Sequence, residues 1–379
     1  MNRLKALKEF GQSIWLDYVQ RSLIASGELG RLVAEDGLCG VTSNPTIFEK
    51  AITGSRDYDK QLQAILAGNT RAEPATLYEL LAVQDIQMAA DVLRPVYDIT
   101  AGADGFVSLE ASPHLAHDTG GTLAEVRRLW RAVGRPNVMI KVPATPEGIP
   151  AVETLIAEGI NINITLMFSL RHYEAVARAY LSGLGRCAAP ERVASVASFF
   201  VSRVDTVVDR AIEEIGTRQA LELRGKIAIA NAKLVYRRFR EIFDGEAFSP
   251  MRRKGARVQR PLWGSTGTKN PAYSDVLYVE GLIGPDTVNT LPPATLDAFR
   301  DHGQASRATV DEAWDKAESC LEQLKELGID LTAVTERLQS DGVAAFAASY
   351  DQLLTALSEK RKTIIARHLD QQSPGVREE

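Results

Sequence analysis

Two rhythms alternate along the chain. Short stretches alternate apolar and polar residues with the period of a β-strand. The longer stretches between them space their apolar residues three and four apart, as on one face of a helix. The first rhythm predicts strands at 13–19 (SIWLDYV), 38–45 (LCGVTSNP), 105–112 (GFVSLEAS), 137–142 (NVMIKV), 162–168 (INITLMF), 192–200 (RVASVASFF), 258–265 (VQRPLWGS) and 274–282 (SDVLYVEGL). The second predicts helices at 1–10, 55–68, 75–99, 120–133, 147–158, 169–183, in segments up to about 243, and over 307–327 and 341–362.

Eight strands, mostly separated by helices, predict an α/β fold, a (β/α)8 TIM barrel with additional C-terminal helices. A doubly wound sheet fits the alternation too, but it is usually announced by a glycine-rich turn after its first strand. Here the first strand runs out through Asp17-Tyr18-Val19-Gln20, and the pair Gly120-Gly121 opens a helix without the spaced third glycine. No composition shift or low-complexity linker marks a second domain. The reading is one domain over 1–370, with about 300–370 a helical extension and 371–379 (QQSPGVREE from 371) a disordered polar tail.

Charge and composition narrow the function. With 44 Lys and Arg against 49 Asp and Glu, the net charge is −5, spread without blocks of one sign. Binding to nucleic acid or to a membrane surface through bulk charge is not expected. The run Arg252-Arg253-Lys254 has no aromatic stacking platform and reads as solvated surface. No apolar run reaches the roughly 18 residues that span a bilayer, and the N-terminus lacks a signal-peptide core. Cys39, Cys187 and Cys320 are odd in number and far apart, which predicts buried thiols in the reducing cytoplasm. His114 and His117 follow Glu110, but Pro113 and the Asp118-Thr119-Gly120 turn predict a loop there, and no metal is expected.

The strand ends carry the chemistry. In a barrel every second side chain points inward, and active sites form where the strands end. On that parity Asp17, Asn44, Glu110, Lys141, Asn163 with Thr165, and Ser198 with Phe200 all end strands facing the lumen. Each alone has a plain explanation: Asn44 caps a turn, Asp17 and Glu110 are solvated, Lys141 pairs with Glu110, and Thr165 and Ser198 fill space. Together they need another one, because a purely structural barrel has no use for a polar residue on each strand at one end. An amine must be neutral to attack a ketone, and bringing an ordinary ammonium from a pKa near 10.4 to neutrality costs roughly 4.6 kcal/mol. Burial supplies much of that, and neighbouring carboxylates oppose it. The iminium that follows is an electron sink for breaking the adjacent carbon–carbon bond, and two carboxylates can move the protons.

The motifs SIWLDYV, GVTSNPTIFEKAI, VSLEASP, IKVPATPEGI, GININITLMFS, ASFFVSRVD and WGSTGTKNP run in order from 13 to 271. With them the chain resembles the transaldolase family, Schiff-base enzymes of the pentose phosphate pathway, and within it the longer bacterial form. The resemblance implies Lys141 as the Schiff-base lysine and Asp17 as the acid/base of bond cleavage. It implies Glu110 as a proton shuttle through a water held by Thr165. Asn44 and Asn163 would orient a dihydroxyacetone unit, Ser198 would touch a hydroxyl, and Arg203 would bind phosphate. The shorter form carries an arginine after the seventh strand; here the substitute is Lys269, with Ser265 nearby. Related free aldolases carry a tyrosine where this chain has Phe200. Phosphorylated sugars are the implied substrates and no cofactor is needed. Oligomeric state stays open. So do three other readings: a free aldolase of the same superfamily, a metal-dependent sugar-phosphate isomerase, and a non-catalytic barrel.

Overall fold

The computed structural model describes residues 2–372. Eight parallel strands close on themselves in sequence order: β1 (Gln12–Asp17), β2 (Gly40–Thr42), β3 (Phe106–Glu110), β4 (Val138–Pro143), β5 (Ile162–Met167), β6 (Ser195–Phe200), β7 (Arg260–Gly264) and β8 (Thr287–Leu291). Helices lie between most successive strands, so the fold is the expected (β/α)8 barrel. Its outer strand faces, such as Ile140, Val142, Ile162 and Ile164, are buried under that helical layer.

The lower barrel is plugged by Trp15, Phe106, Met139, Val196, Leu262 and Val288, packed with Cys39 and Ala194. Gly40 is required here. A Cβ at this position would stand 2.5 Å from the Trp15 ring, so the indole fits across β2 only because that residue has no side chain. Above the plug the lumen turns polar, and that change of lining sets the site at the C-terminal end of the strands.

One predicted strand is not a strand. Residues 274–282 run through loop into a single helical turn, Leu277–Glu280, with Val276, Tyr278, Val279 and Leu282 buried. The eighth strand is TVNTL, Thr287–Leu291. Three of its five residues are polar, so it lacks the apolar run expected of an interior strand. Thr287 donates to the Gly284 carbonyl at 2.6 Å and accepts from Gln12 Nε2 at 3.0 Å, and Thr290 shares a hydroxyl contact with Thr42 at 2.7 Å, while among the described residues the buried Asn289 amide has no hydrogen-bond partner. The helix Pro293–His302 that follows, and Pro45–Thr53 after β2, were also not predicted.

The last helix, Leu331–Gln372, crosses the barrel mouth and packs on the Pro45–Thr53 and Pro74–Ile99 helices. Its final residues include 371 and 372, where a disordered tail was expected to begin. The rest of that expectation, 373–379, lies outside the described residues.

Candidate active site

The register explains why the polar residues meet. Glu110 on β3 lies directly beside Lys141 on β4, and Lys141 beside Asn163 on β5, all on the inward face. Lys141 is 4% exposed, and its Nζ donates to Glu110 Oε2 and to the Ser43 carbonyl, both at 2.9 Å. On the opposite side Asp17 ends β1. Thr42, its neighbour in register on β2, places its hydroxyl 2.7 Å from Asp17 Oδ1 and 2.7 Å from the Thr290 hydroxyl.

A cavity of about 270 Å³ opens above these groups. Nine of the eleven residues singled out from sequence line it: Asp17, Asn44, Lys141, Thr165, Ser198, Phe200, Arg203, Ser265 and Lys269. Glu110 and Asn163 sit behind the wall. Glu110 reaches the site through Lys141. Asn163 is fully buried, its Nδ2 donating to Ser108 Oγ at 3.0 Å and its Oδ1 accepting from Ser198 Oγ at 2.6 Å. Its amide therefore orients Ser198, while Nδ2 keeps a second hydrogen and Oδ1 a second lone pair. Asn44 does two jobs. Its Oδ1 caps the Pro45–Thr53 helix by accepting from the Ile47 amide at 2.9 Å, while the residue still lines the cavity.

Matched against protein families, residues 14–357 fit the profile described as transaldolase/fructose-6-phosphate aldolase. The chain belongs to that family. It is 49% identical to a transaldolase of Thiobacillus denitrificans, over 94% of this chain and all of the relative. It is 46% identical to a transaldolase of Thermobifida fusca, over 94% of this chain and 98% of the relative. A Nostoc protein named transaldolase 2 is 45% identical over 96% of this chain and 99% of its own.

The electrostatics suit the Schiff-base chemistry of this family. Burial raises the Glu110 carboxyl above its ordinary range, against the pull of the Lys141 ammonium and its hydrogen bond. Asp17 is also raised by burial, opposed by the Thr42 hydrogen bond and by Lys141, Arg203 and Lys269. Both carboxyls are thus poised to hold a proton that an exposed carboxylate would release. Among the described residues the buried Thr165 hydroxyl has no hydrogen-bond partner, although it borders the cavity. Arg203 is held by aromatic faces, its guanidinium 5.1 Å from the Phe200 ring centroid and 6.0 Å from that of Phe346. Among the described residues no carboxylate forms an ion pair with it, although Asp17 and Glu110 act on it through space.

Several residues escaped the sequence reading. Phe346, from the C-terminal helix, roofs the cavity, its ring centroid 5.9 Å from Lys141 Nζ. Gln339, on the same helix, donates from Nε2 to the carbonyls of Ala144, just past the end of β4, and Leu166, next to Thr165 within β5, both at 3.0 Å. Leu166 holds a left-handed φ of 59° where β5 shifts register against β6. That twist presents the carbonyl Gln339 takes. Neither residue sits in a motif, and only their contacts reveal them. Thr46 and Lys50 also line the cavity, from the helix that opens at TSNP. His114 and His117 do not meet. Each has its own carboxylate, Asp351 at 2.8 Å and Glu147 at 3.0 Å, and among the described residues no three His, Cys, Asp or Glu groups cluster as for a metal.

Proposed function

We propose that the protein is a transaldolase. It moves a dihydroxyacetone unit from a ketose phosphate (sedoheptulose 7-phosphate or fructose 6-phosphate) to an aldose phosphate (glyceraldehyde 3-phosphate or erythrose 4-phosphate). The observation that carries this reading is the buried Lys141–Glu110 contact at 2.9 Å, beside a cavity whose far wall holds Asp17. The resting ammonium can pass a proton to Glu110, which burial has made a better base than an exposed carboxylate. The freed amine adds to the donor ketone, and the carbinolamine loses water with Glu110 returning the proton and Thr165 holding the water. Asp17 takes the proton of the hydroxyl next to the bond that breaks, an aldehyde departs, and the electron pair is held as an enamine on Lys141. The acceptor aldehyde reverses these steps. Asn44 and Ser198 bind the hydroxyls of the retained unit. The chemistry uses no cofactor. The three cysteines, none in a disulfide, support a cytoplasmic setting.

The free-aldolase reading remains the one to test, because the family includes such enzymes. Phe200 favours transfer: only 8% exposed, its ring packs 5.4 Å from Phe168 and under Arg203, bringing no proton donor to the cavity. With fructose 6-phosphate alone, little free dihydroxyacetone should accumulate, and adding erythrose 4-phosphate should give rapid sedoheptulose 7-phosphate formation. Phe200→Tyr, which adds a phenol at that wall, should raise free dihydroxyacetone relative to transfer. An unchanged product ratio would deny Phe200 this part.

Arg203 lies in the first turn of the Ser202–Ile215 helix after β6, and Lys269 lies in the loop after β7, so adjacent strands present both cations to one cavity. Charge-assisted hydrogen bonds are worth about 1.5–3 kcal/mol, or roughly 10- to 150-fold in affinity. Arg203→Ala should raise KM for fructose 6-phosphate by that factor and leave dihydroxyacetone, used as an unphosphorylated donor with glyceraldehyde as acceptor, much less affected. Lys269→Ala should act in the same direction more weakly, lacking the bidentate fork of arginine. Equal losses with both donors would mean the two cations do not read phosphate.

A further inference from the structure

The loop that carries Lys269 is anchored at Thr266, which is buried and donates its hydroxyl to the Thr290 carbonyl at 3.2 Å, and it opens up around Lys269. Lys269 lines the active-site cavity on one side and, on the other, a separate cavity of about 260 Å³ walled by Asp205, Asp209, Tyr273 and Tyr278. Between Thr266 and the buried Val276 the stretch around Lys269 has open space on both sides, so beyond those two anchors its position depends on specific bonds.

Those bonds run to the helix that carries Arg203. Asp205 and Asp209 lie four residues apart on Ser202–Ile215, on the face turned to the loop, 1% and 6% exposed. Tyr273, four residues past Lys269, donates its hydroxyl to Asp209 Oδ2 at 2.8 Å. Tyr278, in the helical turn that follows, donates to Asp205 Oδ2 at 3.0 Å. The remaining carboxylate oxygens are taken by backbone amides, Gly225 to Asp209 Oδ1 at 3.1 Å and Ala228 to Asp205 Oδ1 at 2.7 Å. Neither carboxylate is therefore free to swing toward Lys269 and neutralise it. At the near end, Ser202 and Ser265 share a hydroxyl contact at 3.0 Å, and Ser202 N donates to the Ser265 carbonyl at 3.1 Å.

We propose that the pairs Tyr273–Asp209 and Tyr278–Asp205 are positioning residues that tie the Lys269 loop to the Arg203 helix and set the separation of the two cations. They touch no substrate. They act on the phosphate end of the site and leave the Lys141 end alone, because that end hangs from β1 to β5. The inference rests on the reading of Arg203 and Lys269 as phosphate ligands. It adds what determines how closely that pair matches a phosphate group.

The test uses Tyr273→Phe and Tyr278→Phe, each removing one oxygen from the full-length protein, with Arg203→Ala measured in parallel. Three quantities decide it: KM and kcat for fructose 6-phosphate, the same for dihydroxyacetone as donor, and the inhibition constant of inorganic phosphate. Each tyrosine variant is expected to raise KM for fructose 6-phosphate and weaken phosphate inhibition by about tenfold, a geometric loss at a charge-assisted contact. kcat, and the dihydroxyacetone reaction run with unphosphorylated glyceraldehyde as acceptor, should stay within about twofold, which separates positioning from general destabilisation. Tyr273 is partly exposed, so its variant should fold even where Tyr278→Phe is impaired. Equal losses with both donors, or no change in phosphate inhibition, would overturn the proposal. If Arg203→Ala discriminates by phosphate and the tyrosine variants do not, the pairs fail alone. If Arg203→Ala does not discriminate either, the phosphate reading falls and takes this proposal with it.

Discussion

Lys141→Ala is expected to lower kcat on the order of 10⁴-fold or more, the scale seen when a covalent nucleophile is removed. Borohydride added with fructose 6-phosphate should inactivate the unaltered protein by delivering hydride to the iminium carbon, fixing donor carbon to Nζ as a secondary amine. Peptide mapping should then find the mass increase on the peptide containing Lys141 and on no other. The geometry leaves little choice of lysine. Lys50 and Lys269 also line the cavity, but only Lys141 is buried in direct contact with a carboxylate able to take its proton. Arginine at this position would keep its charge and add nothing, so Lys141→Arg should fail as completely as alanine. An adduct on Lys50 or Lys269, or substantial turnover in Lys141→Ala, would remove the assignment and with it the Schiff-base reading.

Strand parity made much of this site readable before any coordinates. Once eight strands were assigned to a barrel, the rule that alternate residues face inward and that sites lie at strand ends picked out Asp17, Glu110, Lys141, Thr165 and Ser198. The structure turns all five inward, and sets Lys141 between Glu110 and Asn163 in register. Parity says which way a side chain points and nothing about its partners. Asn163 reads as a residue that orients the substrate; the structure sets it behind the cavity wall, bonded to Ser108 and Ser198, which parity does not foretell. Asn44 looks like either a cap or a ligand, and its Oδ1 makes the cap while the residue also lines the cavity. β8 went unrecognised because periodicity detects apolar burial, while Thr287 is buried through hydrogen bonds instead. Phe346 and Gln339 reach the site from a helix more than 130 residues beyond the last of those five strand-end residues, Ser198, where helical periodicity records only that a face is buried. The C-terminal helix is thus part of the active site in a way no local pattern could indicate.

Asp17→Asn should cost about 10²- to 10⁴-fold in kcat, the usual worth of a positioned general acid or base. The amide keeps the shape of the carboxyl, and its oxygen can still accept the Thr42 hydrogen bond at Oδ1. It cannot take a proton. Schiff-base formation is the work of Lys141 and Glu110, across the cavity from Asp17, so it should survive. The block falls one step later, where the hydroxyl proton must leave before the carbon–carbon bond can break. Trapping therefore tells the two steps apart. The unaltered protein, treated with fructose 6-phosphate and borohydride, should carry a three-carbon adduct on Lys141, because the aldehyde has already left and protonation of the enamine carbon gives the iminium that hydride reduces. Asp17→Asn should carry the whole six-carbon phosphorylated adduct in its place. Burial already holds Asp17 above the usual carboxylate range, which helps it keep a proton long enough to return it to the acceptor aldehyde. A three-carbon adduct in Asp17→Asn would show that another group takes the proton. No adduct at all would show that Asp17 holds the site together and is not its base.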